Sequence, residues 1–218
     1  AMPSRMKPGA LILSGDVLLT FDYSQIDFSG DKAMAFSVKK DSKTGENHGV
    51  FLTDENNNLI KFLHKKDKET LKENGAVDKN GLVDIDTGVI YFNMEIINKM
   101  LDLVYNNKFG VFINSKAQLS LYNDFVYVFS KKATLENYLK EKPEGDFCRE
   151  LNECREKIWN KLNNYNMKII KTSPADFIHL GTNKELLEFN KNYTHIINWK
   201  KSISSNVEEN IHYNINTS

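Results

Sequence analysis

Only two cysteines, Cys148 and Cys154, occur in the 218 residues, six positions apart. In a stretch read as helix, side chains at that spacing do not meet, so no disulfide is expected and a soluble, reducing, cytoplasmic setting fits. Neither sign of charge is in excess: Lys+Arg and Asp+Glu number 29 each, for a formal net charge of zero. Broad, sequence-independent nucleic-acid binding needs a cationic surplus and is set aside, though a local basic pocket is not. No apolar run approaches the roughly 20 residues that span a bilayer, and the front of the chain does not read as a signal peptide. The common chemical motifs are missing too. There is no G-x-x-x-x-G-K-[ST] phosphate loop, no G-x-G-x-x-G after a strand and no G-x-S-x-G elbow. The five histidines (His48, His64, His179, His195, His212) are scattered rather than set at metal-ligand spacing. Conventional kinase, protease and zinc-enzyme readings therefore have no footing.

What is present is a chain able to bury a core. Apolar residues make up 40%, with 13 Phe and 9 Tyr, too many for a disordered polymer and enough for one domain, with or without a small appendage. The first half reads as strand-rich, with extended runs over 10–13, 17–19, 33–38, 48–53, 59–64 and 82–92. Residues 54–58, Asp-Glu-Asn-Asn-Asn, read as a hairpin turn, because Asn and Asp tolerate positive φ. From Asn93 a helix is expected with Ile96, Ile97, Met100, Leu101 and Val104 on its buried stripe. A second is expected from Thr134. A third, from Asp146, places Phe147, Leu151, Cys154, Ile158 and Leu162 on one face. Strands are expected over 167–170 and 176–180. Thr182-Asn-Lys-Glu185 is a capping box opening a last short helix. The Asn-rich tail from Ser202 has little periodicity. Alternating strands and helices indicate an α/β class, without showing which strands are neighbours. The division expected is 1–130 for the α/β part and 131–218 for a helical and short-strand extension.

Asp16 is the most chemically suggestive position. An apolar strand running into Ser14-Gly-Asp16 puts a carboxylate at a strand's carboxyl end, where open α/β sheets place ligands. Gly15 would let a phosphate or metal approach the backbone, and one carboxylate with phosphate oxygens suits Mg²⁺. The same dipeptide also reads as an ordinary turn with Asp16 bonded to its own backbone.

A strand, acidic turn and strand from His48 to Lys66, followed by Asp84-Ile-Asp-Thr-Gly-Val-Ile-Tyr-Phe92 and a helix, is similar in order to the sugar-1-phosphate nucleotidyltransferases. The chain more closely resembles the GDP-fucose pyrophosphorylase / L-fucokinase family. The blocks that carry the likeness are Met6-Lys-Pro-Gly-Ala-Leu-Ile-Leu-Ser-Gly-Asp-Val-Leu19, His48-Gly-Val-Phe51, Phe62-Leu-His-Lys65, Gly75-Ala-Val77 and Asp86-Thr-Gly88. Leu119-Ser-Leu-Tyr-Asn-Asp-Phe125, Glu141-Lys-Pro-Glu-Gly145 and Phe177-Ile-His-Leu-Gly-Thr182 complete the set, which runs over nearly the whole chain.

The resemblance implies a mixed nucleotidyltransferase sheet with flanking helices and transfer of a guanylyl group from GTP to β-L-fucose 1-phosphate. It further implies Mg²⁺ held by Asp16 and Asp124 and a catalytic role for Lys65 on the sugar phosphate, with Lys66 standing where the family has proline. Gly49, Lys66, Asp86, Thr87 and Gly88 are implied on the substrate side. The family's glycine-rich triphosphate loop has no counterpart ahead of Asp16, so the sheet is expected to be incomplete at its N-terminal side and the chain to turn over little GTP by itself. Self-association, or a partner chain covering an apolar face, is the corresponding expectation. A non-catalytic sugar-phosphate-binding or regulatory module retaining half of the site is the alternative, and another sugar is a third. No sugar-kinase ATP loop accompanies these blocks.

Overall fold

The computed structural model describes residues 7–22, 32–106 and 116–192. The tail from Ser202, Trp199, His195 and His212 lie outside them. By contacts the chain divides into a unit over Ala1–Ile178 and a second over His179–Ser218. The boundary falls well after residue 130, because the later helices and a strand pack onto the first-half sheet.

That sheet is built around β6 (Leu82–Asn93), whose residues from Val83 to Phe92 are all buried. Along one edge runs β3 (Ala33–Asp41), antiparallel to β6; β7 (Met167–Lys171) lies parallel on its far side, with Ala33 opposite Met167. The other edge of β6 is shared. β1 (Gly9–Leu13) pairs with its C-terminal half, Gly9 opposite Asn93 and Leu13 opposite Val89. β4 (Gly49–Thr53) meets its N-terminal half at Val50–Ile85, and β5 (Leu59–His64) pairs antiparallel to β4. The sheet is thus mixed and mostly antiparallel. β2 (Val17–Phe21) and β8 (Ala175–His179) form a separate two-stranded sheet.

The hairpin turn over 54–58 forms as its composition predicts. Asp54 Oδ1 accepts from the amides of Asn56 and Asn58, and Asn57 takes the positive φ of 58°. Its tip leans on β7, where Asn57 O accepts from the Ile169 amide. The open edge of β5 is bonded by Lys131 and Lys132, whose amides donate to Leu59 O and Ile60 O.

Three short helical pieces were not anticipated. α1 (Ser42–Gly45) and α2 (Lys68–Glu73) are capped by Asp41 and Asp67, each accepting from a threonine amide three residues on. The third, a π-helical turn over Leu121–Val126, leads into a 3₁₀ turn, Tyr127–Phe129. α3 (Met94–Asn106) is capped by Asn93, but its buried side is Ile96 and Leu103; Leu101 and Val104 are exposed. α4 (Leu135–Lys140) is capped by Thr134. α5 (Arg149–Leu162) starts later than expected, capped by Cys148, which leaves Phe147 59% exposed ahead of it. The buried face of α5 also includes Arg155. One core cluster joins Ala35, Ile90 and Phe92 of the sheet to Phe129, Tyr138, Leu151 and Ile158. In the second unit, α6 (Asn183–Asn192) begins with the anticipated box: Glu185 accepts from Thr182 N–H, and Thr182 Oγ1 from Glu185 N–H. Both cysteines are free. Among the described residues no helix is long and apolar enough to cross a membrane.

Candidate functional site

The site grows from a bulge in β6. Between the pairs Ala35–Ile90 and Ser37–Asp86, β3 advances two residues while β6 advances four. The extra residues bend out at Gly88, whose φ of 74° suits glycine. Thr87 fills the bulge and donates its hydroxyl to Phe36 O at 2.8 Å. Because β1 pairs with β6 from Val89 onward and β4 meets β6 at Ile85, residues 86–88 lie in the interval between those strands. There the turn after β1 docks: Ser14 N–H donates to Gly88 O at 2.9 Å. A Cβ on Gly88 would lie 2.5 Å from that of Ser14, so the glycine makes room for the turn rather than for a ligand. The Ser14 hydroxyl donates to Asp16, holding its exposed carboxylate in place.

Asp86 sits beside this turn, 6% exposed, with Oδ1 lacking any hydrogen-bond partner. Burial pushes its carboxyl up to about 6, against opposing bonds from the Gly88 backbone and the Tyr122 hydroxyl. Tyr122 is held neutral well above the usual phenol range by burial first, then by the charges of Asp86 and Asp16. Its ring stacks on His64 at 5.5 Å, and His64 stacks on Phe62 at 5.9 Å. His64 is pushed toward the neutral form by burial and then by Lys65, while Asn123 bonds its ring. Lys65 follows, exposed, with φ of 49°, a conformation that costs a non-glycine residue about 1 kcal/mol. Asp86 and Asp16 thus act on Tyr122, and Lys65 acts on His64, at the two ends of one ring stack. At its Asp86 end the arrangement has a buried acceptor without a hydrogen-bond partner beside a neutral phenol.

The remaining expected site residues lie elsewhere in the arrangement. Asp124 is fully buried. Its Oδ1 accepts from Arg155 Nε at 2.7 Å, its Oδ2 from Ser120 N–H at 2.6 Å, and its carbonyl from the Tyr138 hydroxyl at 2.6 Å. A carboxylate so occupied does not fit a cation. The contacts of Asp124 thus do not favour the two-carboxylate magnesium arrangement that the resemblance implies. Gly49 is closed as well: a Cβ there would meet the Phe62 ring at 2.6 Å, so its lack of a side chain serves packing. Thr87 is 1% exposed and spent on Phe36 O. Lys66 lies 3.7 Å from Glu141 and lines a cavity with it, while its charge, like that of Lys65, also bears on His64.

A family model for the fucose pyrophosphorylase domain matches residues 1–217. The chain belongs to the fucose pyrophosphorylase family. Among curated proteins it is similar to a bifunctional fucokinase/GDP-fucose pyrophosphorylase of Arabidopsis thaliana, 26% identical over 191 residues covering 83% of this chain and 17% of that protein. It is also similar to a fucose-1-phosphate guanylyltransferase of Homo sapiens, 24% identical over 221 residues covering 85% of this chain and 35% of that protein. The chain therefore spans well under half the length of these relatives.

Within this fucose pyrophosphorylase domain, sequence reasoning assigned no role to His64, Tyr122, Asn123 or Arg155, although the first three lie inside blocks that carried the resemblance. The missed signal for Arg155 was available in α5. It falls four residues after Leu151 and three before Ile158, on the apolar stripe, where a guanidinium requires a buried carboxylate.

Proposed function

We propose that this chain provides the sugar-phosphate side of a guanylyl transfer from GTP to L-fucose 1-phosphate. The supporting observation is the orphaned, buried Asp86 Oδ1 beside Tyr122, in a chain of the fucose pyrophosphorylase family. An unsatisfied buried acceptor costs about 1–3 kcal/mol, and a sugar hydroxyl donating to Asp86 would remove that cost. Tyr122, neutral at physiological pH, orients Asp86 by donating to it. Lys65, exposed at the end of β5, neutralises the phosphate that the sugar carries. In the reaction, a phosphate oxygen of fucose 1-phosphate forms a bond to the α-phosphorus of GTP as the bond to pyrophosphate breaks. Such chemistry depends on positioning and charge neutralisation. Because Asp124 is committed to Arg155, no step is assigned to a metal here.

Titration calorimetry of fucose 1-phosphate against the chain and its Asp86→Asn and Lys65→Gln variants tests the reading. Each variant is expected to weaken binding about tenfold or more, the effect of losing one charge-assisted bond. Free fucose should respond to D86N and not to K65Q. Unchanged affinity in both variants overturns the reading. Saturable binding with no pyrophosphate released from GTP would instead identify a non-catalytic sugar-phosphate-binding module, the second reading carried from the sequence.

A further inference from the structure

A cavity of about 590 Å³ lies on the far side of Lys66, walled by β5, the 3₁₀ turn, α4 and the loop after it. Its lining holds five lysines, Lys61, Lys66, Lys132, Lys140 and Lys142, against the single carboxylate of Glu141. Ser130 also lines it, 6% exposed, and the Ser130 hydroxyl has no hydrogen-bond partner. A lysine cluster alone is an ordinary solvated face. An enclosing cavity of ligand size, with a buried hydroxyl left unsatisfied in its wall, is not.

The walls are fixed in place. Lys132 is held on the edge of β5 through its amide to Ile60 O, and the turn beneath it closes through Ala133 N–H to Ser130 O at 2.9 Å. Opposite, buried Arg155 donates to Glu141 O at 2.8 Å and to Leu139 O, while Asn123 Nδ2 donates to Lys142 O at 3.1 Å. The Asp124–Arg155 pair therefore positions the loop that carries Lys140, Glu141 and Lys142. Lys61 is tied to Asn74 and Lys140 to Glu136, both neighbours replaceable by a more strongly charged acceptor.

We propose that this cavity is an anion site, separate from the Asp86 site, that takes an oligophosphate. A linear chain of phosphates, with several anionic groups in a row, suits five lysines lining one cavity of this volume. It also supplies an acceptor for Ser130 Oγ. Glu141 is displaced from Lys66 as the anion enters.

The probe is inorganic tripolyphosphate, added at constant ionic strength to the chain and followed by calorimetry and thermal unfolding. Saturable binding with a rise in Tm is expected. The Lys132→Gln/Lys142→Gln double variant, both residues exposed, should lose about tenfold or more in affinity, with orthophosphate binding weaker throughout. Ser130→Ala should reduce affinity without lowering the Tm of the unliganded protein, since it removes a hydroxyl that bonds to nothing there. Asp86→Asn should leave tripolyphosphate binding unchanged while weakening fucose 1-phosphate, so the two sites fail or stand separately. A non-saturable response, an equal response to sulfate, an unaffected double variant, or loss of binding in D86N would each overturn the proposal.

Discussion

Replacing Asp124 separates a structural role from a metal-binding one. Asp124 and Arg155 are both fully buried, joined at 2.7 Å. Among the described residues Arg155 also donates to the carbonyls of Glu141 and Leu139 and lies over the Tyr138 ring, and its Nη2 has no hydrogen-bond partner. Asp124→Ala leaves a buried cation facing those carbonyls, a loss of about 3–5 kcal/mol. It also strips the Ser120 amide of its acceptor, adding about 1–3 kcal/mol. Against a domain stability of about 5–15 kcal/mol, D124A stands at the edge of folding. Asp124→Asn keeps an acceptor and should cost about 2–4 kcal/mol, and Asp124→Leu/Arg155→Met should recover the share due to the buried unpaired cation, while the Ser120 amide stays without its acceptor. Urea denaturation measures each, and the cycle gives the coupling directly. A D124N variant within about 0.5 kcal/mol of wild type that had lost a Mg²⁺-dependent response would refute the reasoning and restore Asp124 as a ligand.

Asp86 gives a pH-dependent prediction. Its folded pKa of about 6 lies above the ordinary 3.8, so the folded state holds this proton more tightly than the unfolded chain. Stability is then greatest below about pH 4 as far as this group is concerned, falls between about 4 and 6, and above that carries a penalty of about 3 kcal/mol. Asp86→Asn should flatten that slope and raise stability at pH 8; an unchanged slope in urea titrations across this range would count against the buried carboxylate. Gly88→Ala should cost about 1–3 kcal/mol from its positive φ alone. It should also displace the Ser14–Asp16 turn, seen as amide shifts at those residues by NMR; silent amides there would contradict the docking.

The strands and the caps of α3, α4 and α6 were legible because they are local. Residues 54–58 carry the Asx chemistry of a hairpin, and Thr134 and Thr182 announce their helices. The α3 stripe was misplaced by a fraction of a turn, since Leu101, Val104 and Leu103 are equally apolar and only the packing partner selects Leu103. The π-helical turn was invisible, for it buries Asn123 and Asp124 through contacts with a loop and a helix far along the chain. For the site, a suggestive Gly-Asp turn could be read at Asp16, and family likeness pointed to Lys65 and Asp86. Nothing local could show that Gly88 makes room for Ser14, or that Gly49 makes room for Phe62, because both depend on which strands lie beside β6.

A structure of the chain with L-fucose 1-phosphate bound tests the central claim most directly. The account predicts a sugar hydroxyl within hydrogen-bond distance of Asp86 Oδ1 and the phosphate next to Lys65. A ligand seated elsewhere, with Asp86 Oδ1 still lacking a partner, would contradict it.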